Sequence, residues 1–197
     1  MKTSDTIKQR LKNSGAPFWA GDNIADFIKD GEKEKLIEEL TEKFEGVLDS
    51  LIIDRENDPN SQNTPNRLAK MYINEVMSGR YEPRPNATAF PNHTNDRYDG
   101  MLVVRSELKS MCSHHHQPVT GVAYIGVIAA DTLIGLSKYT RLAQWCARRG
   151  TLQEELCNDI AREISKATDS DNVGVYLRMT HGCCENRGIM AHDSSTT

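Results

Sequence analysis

The sequence predicts an α+β fold in which an antiparallel sheet carries two helices on one face and follows a helical extension. Three observations lead to this prediction: helical spacing of apolar residues before residue 80, strand-like alternation after residue 100, and two helical stripes between the strand patterns. The resulting order of strand, strand, helix, helix, strand, strand favours a layer of helices packed on a sheet.

The helical extension is expected over residues 1–80. From Glu34 to Leu51, apolar side chains occupy one face of a helix and charged side chains the other. After a polar, turn-rich stretch, Thr64 and Pro65 are the residue types preferred at the N-cap and the first position of a helix, and an apolar stripe follows them. These patterns predict two successive amphipathic helices.

Residues 81–100 are predicted to be a linker or long loop, because prolines and asparagines recur there without an apolar period. The folded core is expected over residues 101–197. Its first strand pattern alternates at Leu102 and Val104, and a second runs from Val119 to Ile128 with apolar residues on both faces. Two adjacent strands are therefore expected at the start of the core.

Two helices are predicted after these strands. One apolar stripe runs from Tyr139 to Cys146 and another from Leu152 to Ala167. Thr151 and Glu154 have the spacing of a capping box, which would open the second helix. Alternation resumes over residues 173–179, and the segment from Gly188 to Thr197 can supply a short final strand.

The composition of the 197-residue chain restricts the possible classes of function. A formal net charge of −4 argues against a general nucleic-acid binder, because such proteins carry basic surfaces that displace counterions from phosphates. No apolar run approaches the roughly 20 residues that cross a bilayer, and the N-terminal segment lacks the apolar stretch of a secretory signal. We therefore expect a cytoplasmic protein without nucleic-acid or membrane partners.

Cysteines and histidines give the sharpest local signal. The chain has five cysteines, an odd number that favours reduced thiols and metal ligation over a disulfide framework. Zinc takes thiolate and imidazole ligands, and a catalytic zinc keeps one position for water. The run Cys112-Ser113-His114-His115-His116, together with the distant His181 and Cys183, offers such ligands.

These two segments can meet at one metal ion. Cys112 and His115 can converge from a single tight turn, and a strand that keeps its period of two would bring His181 and Cys183 to one face. One distant thiolate would then complete a site of two cysteines and one histidine. The alternative, which spacing leaves open, is that the cysteines are ordinary buried thiols and the histidine run is a solvated turn.

Several blocks of the chain resemble the GTP cyclohydrolase I family, from about Thr64 to the C-terminus. The block Thr64-Pro65-Asn66-Arg67-Leu68-Ala69-Lys70-Met71-Tyr72 is similar to a helix of the family, and Cys112-Ser113-His114-His115 resembles its Cys-Glu-His-His zinc motif. Further blocks follow in the family's order: Gly135-Leu136-Ser137-Lys138 with Arg141, Gln153-Glu154, and Thr180-His181-Gly182-Cys183 with Arg187-Gly188.

The resemblance implies a tunnelling fold (T-fold) of ββααββ order, with zinc held by Cys112, His115 and Cys183. Zinc lowers the pKa of bound water, so that hydroxide is available near neutral pH. In the family, hydroxide attacks the imidazole-ring carbon of guanine while histidines move protons, and His114 and His181 stand at those positions. The implied reaction is hydrolysis of the GTP imidazole ring, with release of formate and formation of 7,8-dihydroneopterin triphosphate.

The resemblance also implies contacts to the substrate. Glu154, with Gln153, is expected to hold the guanine edge, because a carboxylate matches the pair of donors on that edge. Arg67 and Lys70 lie three positions apart on a helix, so both project from one side, where they are expected to meet the triphosphate. Contacts to phosphate and ribose are expected from Ser137, Lys138, Arg141 and Arg187.

Simpler interpretations of several of these residues stay open. Glu154 could merely cap its helix, Lys138 and Arg141 could form a solvated helix face, and Arg187 could be a surface ion-pair partner. Cys184 is interpreted as a bystander, because adjacent side chains on an extended chain point apart.

One residue departs from the family motif: Ser113 replaces the glutamate that usually follows the zinc cysteine. Loss of a carboxylate next to metal ligands can lower metal affinity or activity by about 10- to 100-fold. Two alternatives therefore remain, a catalytically weak homologue with a regulatory or assembly role, and another T-fold enzyme acting on a pterin or deazaguanine. A purely structural zinc module would not explain the presence of the blocks that resemble the substrate-binding segments of the family.

The resemblance further implies a homo-oligomer, because the family assembles as a decamer of two pentameric rings with active sites at subunit boundaries. The product of the implied reaction leads to folate, pterin cofactors or 7-deazaguanine bases. The residues do not choose among these pathways.

Overall fold

The computed structural model describes residues 2–92, 97–187, 190–191 and 195–196. The chain forms two compact units, Met1–Pro83 and Arg84–Thr197. The first unit is helical, and the second combines antiparallel sheets with helices, in agreement with the predicted α+β class. Among the described residues, every helix is too short or too polar to span a bilayer.

The first unit is built from α-helices with small cores between them. Ile7, Leu11 and Ile24 are its most buried apolar cluster, and Arg10 of the first helix donates to the carbonyl of Phe27 at 2.7 Å. The helices are α1 Thr3–Ser14, α2 Glu32–Ser50, α3 Thr64–Met71 and α4 Ser78–Tyr81, with a 3-10 turn at Ala25–Phe27 and a π-helical turn at Tyr72–Val76.

Both helices predicted for this unit are confirmed, with a shift at one end. The amphipathic pattern from Glu34 corresponds to α2. The N-cap prediction at Thr64 is wrong by one residue, because Asn63 occupies the N-cap and its carbonyl already accepts a hydrogen bond from the Arg67 N–H at 3.1 Å. Thr64 is the first helical residue.

An ion pair joins the first two helices. The guanidinium of Arg10 donates to the carboxylate of Glu32 at 2.6 Å, and Glu32 is the first residue of α2. Hydrogen bonds from this guanidinium, with a further bond from the Lys29 backbone N–H, lower the pKa of Glu32 to about 2.

The main sheet of the second unit is antiparallel, with strand order β2-β3-β5-β6. Its long strands pair over most of their length, with Leu108 opposite Gly121 and Gly121 opposite Met179. The bounds are β2 Met101–Met111, β3 Pro118–Ile128, β5 Val173–His181 and β6 Ser195–Thr196. A Cβ atom on Gly121 would lie 2.1 Å from the carbonyl oxygen of Arg178, so this close strand pairing requires glycine.

A second, two-stranded sheet was not expected from the sequence. β1 Ala89–Pro91 pairs with β4 Thr132–Ile134 in antiparallel register. The interpretation of residues 81–100 as loop is therefore wrong at β1, while residues 93–96 of that stretch lie outside the described residues. A three-residue strand is too short to show an alternating pattern.

Two helices cover one face of the main sheet, α5 Leu136–Ala147 and α6 Gln153–Thr168. Strand side chains that alternate with exposed ones, such as Leu108, Ile125 and Leu177, form one buried cluster with helix side chains that include Leu142 and Ile160. α5 packs mainly on β2 and α6 on β5. Along the chain the long elements follow as β2, β3, α5, α6 and β5, with the short strands β1 and β4 and a short helix α7 Gly182–Glu185 in addition. In the C-terminal segment, where a final strand was expected, the described residues Ser195–Thr196 form β6.

Candidate metal centre and active site

The turn between β2 and β3 holds the predicted cysteine–histidine run. The Cys112 N–H donates to the carbonyl of Gln117 at 3.0 Å, and the His116 N–H donates to the carbonyl of Cys112 at 2.9 Å. His116 accommodates the turn with a φ of 50°, in the left-handed region. As a result Cys112 points inward with 4% of its surface exposed, while His114 and His115 are exposed.

The second segment reaches this turn because β5 lies beside β3. His181, the last residue of β5, is opposite Val119 near the start of β3. The expectation that the strand continues through Cys183 is wrong, since the chain enters the short helix α7 at Gly182. A Cβ atom on Gly182 would lie 2.8 Å from the carbonyl oxygen of Pro118, so glycine permits the close approach that keeps this segment against β3.

Two thiols meet at this point. The Cys183 side chain is 8% exposed and lies in hydrogen-bonding contact with that of Cys112. Burial, together with the neighbouring Cys112 and Cys184 thiols, raises the pKa of Cys183 to about 11. A thiol with so high a pKa keeps its proton near neutral pH, and a cation bound to the Cys183 sulfur would displace that proton.

Cys184 was interpreted as a bystander, and the basis for that interpretation is wrong. Its sulfur lies 4.0 Å from that of Cys183, because the two residues belong to a helical turn and not to an extended chain. Two adjacent cysteines after a glycine were the only sequence signal for this arrangement.

The imidazole of His115, which was predicted to be the third metal ligand, does not form a ligand group with the two thiols. His115 is exposed in the turn, and its ring centroid lies 6.3 Å from that of His114, with the rings nearly perpendicular. Within the described part of the chain, no group of three or more potential ligands is arranged to hold a metal ion. The structure thus joins Cys112 and Cys183 and leaves His115 in the adjacent turn.

His181 lies at the same end of the sheet and is half-buried. Its Nε2 atom is 2.8 Å from the Oε1 atom of Gln153, the first residue of α6. The Nε2 atom of Gln153 is 3.4 Å from the carbonyl oxygen of Leu177. Gln153 is therefore engaged with β5 through both ends of its amide.

Glu154 is exposed at the start of α6, and the predicted capping box is wrong. Leu152 occupies the N-cap, and Thr151 donates its hydroxyl hydrogen bond to Glu155 at 2.6 Å. Glu154 makes no hydrogen bond or ion pair with any described residue. Its carboxylate is free to contact a ligand.

The first two turns of α5 carry three of the residues predicted to contact phosphate or ribose. Ser137 and Arg141 are exposed, four positions apart on one side of the helix, and Lys138 is half-buried. The N-terminus of a helix attracts anions, because its first N–H groups lack helical partners and the helix dipole is positive there. The arrangement suits a negatively charged ligand.

Arg187 follows α7 and is half-buried. Its Nε atom is buried and has no hydrogen-bond partner among the described residues, which favours an anionic ligand over a surface ion pair. The neighbouring Gly188 of the same sequence block lies outside the described residues. Arg67 and Lys70 are exposed on α3, in the other unit.

The chain is similar to known proteins both at the level of a family and at the level of individual sequences. A family model described as GTP cyclohydrolase I matches residues 40–197. GTP cyclohydrolase 1 of Flavobacterium johnsoniae is 35% identical over 165 residues, covering 83% of this chain and 73% of the relative. GTP cyclohydrolase 1 of Vibrio vulnificus is 32% identical over 197 residues, covering 100% of this chain and 87% of the relative. The enzyme of the same name from Buchnera aphidicola is 35% identical over 171 residues, covering 86% and 76% of the two chains.

Proposed function

The chain belongs to the GTP cyclohydrolase I family, and from this we propose that it hydrolyses the imidazole ring of GTP, releasing formate and forming 7,8-dihydroneopterin triphosphate. The observation that carries the proposal is the meeting of Cys112 and Cys183, 71 positions apart in the chain, at the sheet end where His181 lies. The fold proposed is the T-fold of the family, with ββααββ as its main elements.

Zinc is the proposed metal, held by Cys112, Cys183 and His115. Two buried thiols in contact are ligands typical of zinc, and His115 belongs to the turn that begins at Cys112. Bound zinc supplies a nucleophile at neutral pH, because it lowers the pKa of water. This ligand set requires the imidazole of the exposed His115 to approach the two thiols.

Proton transfer is assigned to His114 and His181. Opening the guanine imidazole ring requires a proton to reach a ring nitrogen as its bond to carbon breaks, and imidazole groups exchange protons near neutral pH. Both side chains are accessible at the same end of the sheet, His114 exposed and His181 half-buried. Two hydrolytic steps release formate, and the rearranged sugar then closes onto the freed amines.

The substrate is proposed to lie with guanine against Glu154 and its phosphates against basic side chains. The absence of any protein partner for Glu154 within the described chain supports its role at the guanine edge. The unpartnered Nε atom of Arg187 supports a phosphate contact. The other residues proposed to bind phosphate or ribose are Arg67, Lys70, Ser137, Lys138 and Arg141.

Assembly into a homo-oligomer is proposed, with the decamer of two pentameric rings as its form. β2 is an eleven-residue edge strand of the main sheet, and no other described strand pairs with its outer side. The free N–H and C=O groups of a long, unpaired edge are a template for pairing with a strand of another chain. A cytoplasmic location is proposed as well.

A second candidate function is a catalytically weak homologue that assembles with or regulates another protein. Ser113 is the observation that favours it, because a hydroxyl stands where the family has a carboxylate beside the zinc ligand. This candidate predicts bound zinc and an oligomer without turnover.

Turnover of GTP by the purified, zinc-loaded protein separates the two candidates. We expect a fluorescent pterin after oxidation of the product, and we expect His114→Ala and His181→Ala each to lower turnover by about 100- to 10,000-fold. His116→Asn is the matched control, because it removes an imidazole from the same turn and asparagine tolerates the left-handed backbone there. Unchanged turnover in both alanine variants would remove the proposed proton carriers, and a zinc-loaded wild-type protein without turnover would favour the second candidate.

A further inference from the structure

The contact between Gln153 and His181 has a defined hydrogen-bond direction. Gln153 is 8% exposed, with its amide held between the Leu177 carbonyl oxygen and the His181 ring. A carbonyl oxygen only accepts hydrogen bonds, so the amide nitrogen must face Leu177 and the amide oxygen must face His181. The amide orientation therefore follows from the strand carbonyl.

The same logic shows which ring nitrogen of His181 carries a hydrogen. An amide oxygen only accepts, so the His181 Nε2 atom, 2.8 Å away, must carry a hydrogen and donate it. In a neutral imidazole only one ring nitrogen carries hydrogen, and the Nδ1 atom is then the acceptor. Gln153 thus selects which nitrogen of His181 is open to a ligand.

We propose that Gln153 is a positioning residue that holds His181 in the Nε2–H tautomer and directs its Nδ1 atom toward the reacting purine. This assignment differs from a direct contact between Gln153 and the guanine edge, because both ends of the buried amide are already engaged with β5. It rests on the proposed proton-carrier role of His181, and it names the nitrogen that performs the role.

The position of Gln153 in the fold suits this task. It is the first residue of α6, which packs on β5, while His181 is the last residue of β5. A buried side chain that bridges a helix start and a strand end has little rotational freedom. It can therefore fix both the tautomer and the ring orientation of His181, as a hydrogen-bond partner does for other functional histidines.

Three variants test the proposal. Gln153→Met keeps the length of the side chain and removes both hydrogen bonds. Gln153→Glu keeps an acceptor for His181 and removes the donor to Leu177. Gln144→Met is the control. It makes the same chemical change as the first variant at a half-buried glutamine of α5 to which no role in the site is assigned and whose side chain has no partner among the described residues.

The direct readout is the tautomer of His181, measured by ¹⁵N NMR of histidine-labelled full-length protein, with His181→Ala assigning the signal. We expect the Nε2–H form in the wild type, in Gln153→Glu and in Gln144→Met, and a mixture of tautomers in Gln153→Met. An Nδ1–H form in the wild type, or an unchanged tautomer in Gln153→Met, would overturn the proposal. This readout needs no turnover, so it separates failure of the inference from failure of the proposed reaction.

Kinetics supply the second readout. For Gln153→Met we expect kcat for GTP to fall by about 10- to 100-fold with KM little changed, with a smaller loss in Gln153→Glu. A rise in KM of tenfold or more at constant kcat would instead show that Gln153 binds the base, and would overturn the positioning role.

Discussion

Cys112 and Cys183 are the residues on which the candidate site depends. They lie in separate segments, yet their thiols are in contact and nearly excluded from solvent. Removal of one thiolate from a metal site leaves too few strong ligands to hold zinc. The cysteines therefore give the most direct test at the residue scale.

We expect Cys183→Ser to purify with less than a tenth of the zinc bound by the wild type. Cys157→Ser is the matched control: Cys157 lies in α6, and its thiol donates to the Val175 carbonyl at 3.3 Å, a bond that a serine hydroxyl can keep. Metal content measured by atomic emission should be unchanged in this control. An equal zinc content in the wild type and in Cys183→Ser would show that the metal binds at another site.

At the residue scale, the sequence was a good guide to which residues belong to the candidate site. It was a poorer guide to how their side chains are arranged. Resemblance indicated Cys112 and Cys183 as partners, and the structure places their thiols together. The capping assignment of Glu154 was wrong, because the N-cap depends on where the backbone enters the helix, which a four-residue pattern does not determine. The engagement of Gln153 with His181 depends on the packing of α6 against β5, a contact between distant segments.

At the scale of elements, strand pairing next to the site depends on glycine. Gly121 of β3 and Gly174 of β5 belong to the same sheet, but their surroundings differ. A Cβ atom on Gly121 would lie 2.1 Å from a backbone oxygen, whereas one on Gly174 would meet nothing within 4 Å. The pair separates the effect of a close approach from the general effect of replacing glycine in a strand.

We expect Gly121→Ala to lower the free energy of unfolding by about 1–3 kcal/mol, because the strands must move apart to admit the methyl group. Gly174→Ala should leave it unchanged or raise it by up to about 1 kcal/mol, because alanine restricts the unfolded chain. Urea denaturation followed by circular dichroism measures both. Equal stability of the two variants would contradict the close approach of β3 and β5.

The ion pair between α1 and α2 predicts a pH dependence of the first unit. Arg10 holds the pKa of Glu32 at about 2, below its ordinary value of 4.5. A carboxyl with a lowered pKa stabilises the fold fully above its unfolded pKa, and that stabilisation is lost as the pH falls through the folded pKa. The contribution of Glu32 should therefore be complete above about pH 4.5 and disappear toward pH 2.

We expect Glu32→Gln to lower the melting temperature at pH 7, and the difference from the wild type to shrink between about pH 4.5 and pH 2. Glu34→Gln, in the same first turn of α2 but exposed, is the control and should change little at any pH. If the difference in melting temperature between Glu32→Gln and the wild type is constant over this pH range, the charge of the Glu32 carboxylate is not its cause.

The long elements were predictable because their apolar periods extend over many residues. α2, α5, α6, β2, β3 and β5 were all expected from such patterns. β1, β4 and α7 have three or four residues each, too few to show a period. The strand pattern ending at Met179 gave no sign that the chain turns at Gly182, where contact with Pro118 from another strand determines the path.

For the whole molecule, composition and motif order predicted the fold class, while assembly requires information beyond one chain. The unpaired edge of β2 leads us to expect a homo-oligomer, and a decamer is the form proposed. Sedimentation equilibrium should therefore give a mass near ten times the 22.1 kDa of one chain. A mass equal to that of a single chain, at the concentrations used for turnover, would contradict assembly.

The measurement that tests the central claim most directly follows the fate of one carbon atom. GTP labelled at the imidazole carbon between the two ring nitrogens is incubated with zinc-loaded protein, with Cys183→Ser as the variant lacking a proposed ligand. We predict that the wild type releases labelled formate in an amount equal to that of the pterin formed. The Cys183→Ser variant should release little labelled formate. Label that stays in the purine, with zinc bound and the protein folded, would contradict the account.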